Sequence, residues 1–365
     1  MKIGIVSQFN NENLGNKLQN YALQQVLLDY AHEVITVINK PAAKNGVDYV
    51  KRFLLAESLL LNKLLGKTRK VNFLEFHKRH IRSSRYVYCI NKDYQSLKKA
   101  DRCALYCAGS DQVWKPGSGL AGKIQYLPFT DRERTFSYAA SFGVDTVAEK
   151  YRQQVKTGLE HINHISVRED AGIGIIEDLT GRRDARVLVD PTMLLRADQW
   201  DQVAVKPKAE LPEKYLLTYF LGTVSDRRKE AINAKAKALG CQVINLMDRN
   251  DPFHQEGPGG FLYLVKHAAC VCTDSFHGSV FTFLYGRPLA IMDREGGHEN
   301  MSSRLETLAN TFALRDCIVR GNDLPALDGE PDYTAGYAAL EQEREKSKAF
   351  LDMVFREAER AGLCD

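Results

Sequence analysis

The sequence predicts an α/β chain made of two doubly wound halves. Three observations carry that expectation. Residues 2–38 read as strand, helix, strand; a second strand and helix series opens at Tyr215; and a charged stretch with Pro207 and Pro212 lies between them. Alternating strands and amphipathic helices build parallel sheets, because each parallel crossover lays a helix on a sheet face. Two Rossmann-like domains of this kind are expected to face a cleft beyond the carboxyl ends of their strands. The expected bounds are 1–205 for an N-terminal α/β domain, 206–330 for a C-terminal α/β domain, and 331–365 for a helix packing back across the domains.

The elements follow in order. Residues 2–7 form a short apolar strand, and an Asn-rich loop closed by Gly15 leads to a helix over 17–31. There Leu18, Ala22, Val26 and Tyr30 recur four apart beside Leu23 and Leu27, giving one apolar stripe. A strand over 33–38 completes the βαβ opening. Residues 49–85 read as helical and basic, with Lys63, Lys67, Arg69, Lys70, Lys78, Arg79, Arg82 and Arg85. That stretch is either a solvated helix face or a surface that meets anionic lipid headgroups. Strands are expected over 104–108, 135–139, 162–167 and 186–189, and a linker over 203–212. The second series has strands over 215–220, 242–246, 268–273 and 288–291, with a helix over 227–239. Residues 321–336 are poor in structure, and 337–361 form a long charged helix carrying Leu340, Phe350, Leu351, Val354 and Phe355.

The chain has 365 residues, is 44% hydrophobic and 26% charged, and carries a net charge of +4. These are the proportions of an ordinary globular protein. The charge is too small to imply nucleic acid but would help draw in an anionic substrate. Eight cysteines include no CxxC pair, so reduced thiols and a cytoplasmic compartment are expected. No signal peptide precedes the first strand, and no run of about 18 apolar residues occurs. No metal site is expected. His161 and His164 lie three apart beside a strand, are expected to lack acidic partners, and read as structural.

Four loops at strand ends carry candidate chemistry. Asn13-Leu14-Gly15-Asn16 precedes the first helix; it has one glycine and no GxGxxG, so it is either a ligand cradle or a capped helix entry. Gly109-Ser110-Asp111-Gln112-Val113-Trp114 offers Ser110 and Asp111 as partners for sugar hydroxyls or as helix caps, and Trp114 as a sugar platform or a core residue. Arg168, at the end of Ser166-Val167, could hold a carboxylate or phosphate bidentately or pair with Glu169 or Asp170. Asp274-Ser275-Phe276-His277-Gly278-Ser279 joins an apolar strand to a helix expected from Val280. A histidine changes charge near neutral pH, glycine allows close backbone approach, and a helix start suits an anion, while a plain helix cap would look the same. No Walker loop or nucleophile elbow is present.

Together with Tyr138-Ala139-Ala140-Ser141-Phe142-Gly143, Val189-Asp190-Pro191-Thr192 and Ser303-Arg304-Leu305, these motifs occur in an order that resembles the polysaccharide pyruvyl transferase family, from residue 1 to about 320. One departure is Asn16, where many members carry Asp. The resemblance implies a GT-B-like fold and transfer of pyruvate from phosphoenolpyruvate onto two hydroxyls of a sugar in a surface polysaccharide. The implied acceptor is a glycan or lipid-linked oligosaccharide, met in the cytoplasm or at the inner face of the membrane, and no cofactor is implied. By residue matching, His277 falls on the family's acid/base histidine and Arg168 on its anion-binding arginine. Asn13, Gly15, Asn16, Ser110, Asp111, Ser275, Gly278, Ser279 and Arg304 fall to substrate binding. Asp111 and Asp274 are the carboxylates that could act as base. Two other readings compete: a GT-B glycosyltransferase using a nucleotide sugar, and a non-catalytic glycan-binding protein of polysaccharide assembly.

Overall fold

The computed structural model describes residues 1–8, 12–40, 58–89, 97–117, 123–295 and 302–364. Residues 9–11 of the N-terminal loop and 49–57 of the basic stretch lie outside the described residues. The chain is α/β and forms two compact units. The first comprises Met1–Leu64, His77–Leu194 and Gln342–Asp365; the second comprises Leu65–Phe76 and Leu195–Glu341.

In chain order the first unit brings β1 (Lys2–Val6), α1 (Leu14–Leu27), β2 (Glu33–Thr36), β3 (Asn39–Lys40) and α2 (Leu59–Leu64). The helix α3 (Thr68–His80) follows, and the division between units falls inside it. Then come β4 (Tyr88–Cys89), β5 (Leu105–Ala108), β6 (Thr135–Ser137), α4 (Glu149–His161), β7 (Ser166–Val167), α5 (Asp170–Thr180) and β8 (Arg186–Val187). The sheet runs β2-β1-β5-β6, with every pairing parallel. Parallel bridges Phe136↔His164 and Ala140↔Val167 extend it toward β7.

Strand alternation sorts the two faces of this sheet. Ile3, Ile5, Leu105 and Cys107 lie on one face with Leu23 and Leu27 of α1. Val6, Tyr106 and Ala108 lie on the other with Trp114, Phe142, Val155 and Leu159. The first face is closed by the end of the last helix, α11 (Thr334–Arg360), through Phe350, Leu351, Val354 and Phe355. Phe355 stacks on Tyr30 at 4.4 Å and meets Phe136 edge-on at 5.9 Å. The same helix brings Glu357 to 3.4 Å from His164, so this histidine does have an acidic partner, one far away in the sequence.

The second unit holds α6 (Ala197–Asp201), β9 (Tyr215–Tyr219), α7 (Asp226–Ala238), β10 (Gln242–Asn245), α8 (Pro258–His267), β11 (Cys270–Thr273), α9 (Phe276–Leu284), β12 (Leu289–Met292), α10 (Ser302–Thr311) and β13 (Ile318–Val319). Its sheet is β10-β9-β11-β12-β13, again parallel throughout.

Three bounds differ from the sequence expectation, each for a packing reason. The second unit starts at Leu195 rather than 206. Trp200 is fully buried and meets Phe281 edge-on at 4.9 Å, and the Val205 amide donates to the Gly259 carbonyl at 2.9 Å. Residues 65–76 also belong to this unit. The Arg69 guanidinium donates to the His254 and Glu256 carbonyls, and Asn72 Nδ2 donates to the Gln255 carbonyl at 2.7 Å. Arg69 therefore pins a helix in place, and is not a solvated member of the basic stretch. Finally, Gln342–Asp365, most of the expected C-terminal helix, belongs to the first unit, where Phe350, Leu351, Val354 and Phe355 pack into its core.

Candidate functional site

In each unit the strand order reverses beside the first strand, and this switch point is where open α/β sheets leave a crevice for a ligand. In the first unit the reversal lies between β1 and β5. The loops that leave there carry Asn13–Asn16 and Gly109–Trp114. In the second unit it lies between β9 and β11, and the residues leaving β11 are Asp274 and Ser275.

The first unit gathers five of the sequence motifs into one buried polar network. Asn13 is the N-cap of α1, and its side-chain oxygen accepts from the Asn16 amide at 3.0 Å. Gly15 and Asn16 are buried inside that helix. Asn16 Nδ2 donates to Asp111 Oδ2. Asp111 sits at φ 75°, a left-handed conformation that Asp tolerates better than most residues. Its other oxygen accepts from the Gln112 amide at 2.8 Å. Ser110 Oγ donates to Asp190 Oδ2 at 3.0 Å.

Arg168 is the centre of this network. It is 4% exposed, and its Nη1 lies 2.6 Å from Asp190 Oδ2. Asp111 stands 3.8 Å and Glu169 4.0 Å from other guanidinium nitrogens. Burial alone would lower the arginine's pKa, but Asp190, Asp111 and Glu169 outweigh it and hold the charge. Asp190 Oδ1 also accepts from the Thr192 amide and hydroxyl at 3.0 and 2.7 Å. Glu169 Oε1 accepts from Ser141 Oγ and from the Phe142 and Gly143 amides at 2.8, 2.9 and 3.2 Å. Gly143 has φ +64°, and a Cβ there would stand 2.1 Å from Gln112. Trp114 is core: it is 1% exposed, donates to the Gln125 carbonyl at 3.2 Å, and stacks on Tyr126 at 5.7 Å.

The second unit builds its motif on the end of β11. Asp274 Oδ1 and Oδ2 accept from the Leu221 and Gly222 amides at 2.6 and 2.8 Å, and Arg294 Nε donates to Oδ2 at 3.1 Å. Ser275 is the N-cap of α9, its Oγ accepting from the Gly278 amide at 3.3 Å. The helix therefore begins at Phe276, and His277 lies in its first turn, 8% exposed, with the Phe276 ring edge-on at 5.3 Å. Gly278 faces the preceding strand: a Cβ there would stand 2.5 Å from Thr273 Oγ1. The close approach that requires glycine is thus to protein. Ser279 Oγ donates back to the Ser275 carbonyl at 3.1 Å. Arg304, in the first turn of α10, is 6% exposed. At the end of β9, near Asp274 and Ser275, burial pushes the Tyr219 phenol up to about 12, against the opposing charge of Arg69.

The sequence profile of the family described as polysaccharide pyruvyl transferase matches residues 13–296, most of the chain. The chain belongs to the polysaccharide pyruvyl transferase family. No curated protein sequence matches it. Among solved structures it is similar to a UDP-N-acetylglucosamine 2-epimerase from Rickettsia bellii, at 11% identity over 98% of each chain and a TM-score of 0.39. It is also similar to the glycosyltransferase SnogD from Streptomyces nogalater, at 13% identity over 99% of each chain and a TM-score of 0.41. A ugt transferase from Siraitia grosvenorii in complex with UDP aligns at 10% identity, with 98% of this chain and 100% of that chain covered, and a TM-score of 0.41. Scores this low carry nothing about shared chemistry.

For this family member, the structure collects Asn13, Gly15, Asn16, Ser110, Asp111 and Arg168 in the first unit. It places Ser275, His277, Gly278, Ser279 and Arg304 in the second. Sequence reasoning named Glu169 only as a pairing partner for Arg168 and gave Asp190, Thr192 and Ser141 no role. All four stand in motifs that were visible. What was missing was the contact between strands that joins them.

Proposed function

We propose that this chain is a ketal-pyruvyl transferase that moves pyruvate from phosphoenolpyruvate onto two hydroxyls of a sugar in a surface polysaccharide or its lipid-linked precursor. The observation that carries the reading is the family match over residues 13–296. The placement of its motifs at the switch points of both sheets supports it. The site of action is proposed to be cytoplasmic, at the inner face of the membrane where a lipid-linked acceptor would stand. Eight cysteines without a CxxC pair accord with a reducing compartment.

The chemistry follows from the donor's charges. A proton added to the methylene carbon of the enol phosphate makes it a methyl group and leaves a cation-like centre on the neighbouring carbon. One sugar hydroxyl attacks there and loses its proton. The carbon–oxygen bond to phosphate breaks, and the second hydroxyl closes the ketal and loses its own. Of the two hydroxyl protons, one balances the methyl group and the other leaves on phosphate. His277 is assigned as the acid that protonates the methylene carbon. Arg304, in the same unit, is assigned to the donor's anionic groups.

Arg168 is given a different part from the one the family resemblance implies. Its charge is already matched by Asp190, Asp111 and Glu169. A phosphate brought to the same guanidinium would meet those carboxylates as well. Arg168 is therefore proposed to position Asp111 and, through it, Asn16. That Arg168, in the first unit, and His277, in the second, serve one reaction is part of the proposal.

The test is a mixture of purified protein, phosphoenolpyruvate and candidate lipid-linked oligosaccharides. The expected result is acceptor mass gain by one pyruvyl ketal with stoichiometric phosphate release. Release of a nucleotide from a nucleotide sugar would favour a glycosyltransferase instead. Acceptor binding with no turnover would favour a non-catalytic glycan-binding protein.

A further inference from the structure

The helix α2 is inverted with respect to water. Its sequence is Leu59-Leu60-Leu61-Asn62-Lys63-Leu64, and Asn62 is its buried residue, at 2% exposure. Asn62 Nδ2 donates to the Ser58 carbonyl at 2.7 Å. Leu60 and Leu64 point the other way, while Leu59 and Leu61 are half-buried. Leu60 is 70% exposed, Leu64 76%, and Leu65, the next residue, 56%. Leu60 and Leu64 stand four apart on one helix face. Gly66, at φ +64°, then turns the chain toward Lys67. A single exposed leucine is ordinary, but three within six residues form a patch that calls for an occupant.

The charges around the patch name that occupant. Lys63 and Lys67 are exposed beside the leucines, and residues 58–74 contain no Asp or Glu. Leucines flanked by lysines suit the boundary between headgroups and acyl chains: the apolar groups enter, and the lysines extend their charge to the phosphates. Among the described residues no helix is long and apolar enough to cross a membrane, so any attachment here is peripheral. We propose that the corner formed by Leu60, Lys63, Leu64, Leu65 and Lys67 docks the protein onto an anionic bilayer surface. The choice of occupant rests on the transferase reading only in expecting a membrane-borne acceptor. One such corner gives weak, reversible binding, as an enzyme that must leave its product requires.

The test sediments the full chain with vesicles of phosphatidylcholine alone and of phosphatidylcholine mixed with phosphatidylglycerol. Binding to the anionic vesicles is expected to exceed that to neutral ones by about tenfold or more and to fall with added salt. Leu60→Ser/Leu64→Ser/Leu65→Ser and Lys63→Glu/Lys67→Glu should each lose about tenfold or more of it, with unchanged Tm, because these side chains face solvent. Equal binding of wild type to both vesicle types, or unchanged binding of the leucine variant, overturns the proposal. So does a wild-type dimer that ignores vesicles and is dissolved by the leucine substitutions, which would make a second copy the occupant. Both variants should keep wild-type turnover on a soluble oligosaccharide acceptor. A wild type inactive on every acceptor, yet bound to anionic vesicles through these leucines, would count against the transferase reading while leaving the docking surface standing.

Discussion

Asp190 Oδ2 lies 2.6 Å from Arg168 Nη1 with both residues buried, and the same carboxylate also accepts from Ser110 Oγ. This one carboxylate ties the end of β5 to the end of β7. Replacing it removes the main counter-charge from a buried guanidinium. Asp190→Asn is expected to cost about 3–5 kcal/mol of stability, the usual loss when a buried pair is broken on one side. Urea denaturation measures it. A loss below about 1 kcal/mol would show that the pair does not hold the network together.

Arg168→Lys separates an anion-binding arginine from a positioning one. Lysine keeps the charge but cannot reach Asp190 and Asp111 at once. We expect a stability loss of about 1–3 kcal/mol and a fall in kcat, with KM for phosphoenolpyruvate changed less than about threefold. A tenfold rise in that KM at unchanged stability would return Arg168 to direct contact with the donor.

Asp274 binds two backbone amides and Arg294. That arrangement makes it a brace for the loop after β9. Asp274→Asn should lower stability by about 2–3 kcal/mol, since each hydrogen bond to a charged acceptor contributes roughly 1.5–3 kcal/mol and the amide keeps only part of the set. The pH profile of residual kcat should keep the wild-type shape. A vanished acid limb would instead identify Asp274 as the base.

His77 gives the fold an acid-sensitive element. Burial, then Lys17 and Lys40, pull its pKa from 6.5 to about 3. A histidine with a folded pKa below its unfolded one binds fewer protons when folded, so protons favour the unfolded chain. Its contribution is intact above pH about 6.5 and is lost as pH falls from there toward 3. His77→Gln should flatten the fall in Tm across that window. Parallel Tm curves for variant and wild type would contradict the assignment.

Much of the fold was legible in the sequence because strands and helices left periodic apolar patterns, as in Ile3 and Ile5 of β1 and the Leu18, Ala22 stripe of α1. Errors gathered where a single polar contact decides. The start of α9 moved from Val280 to Phe276 because Ser275 caps the Gly278 amide. The stretch 203–212 read as a linker from its prolines, yet Trp200 and Val205 already belong to the second unit. The chemistry-bearing residue types were visible, but their pairing was not. Arg168 meets Asp190 across 22 positions of sequence, through strand adjacency that no local pattern encodes.

The most direct measurement is phosphate release coupled to acceptor mass gain, with phosphoenolpyruvate and a lipid-linked oligosaccharide, for wild type and His277→Ala. The account predicts both signals in wild type and a loss of about 10²–10⁴-fold in rate for the variant, the range of a positioned acid, with Tm little changed. Wild-type turnover by His277→Ala would contradict it.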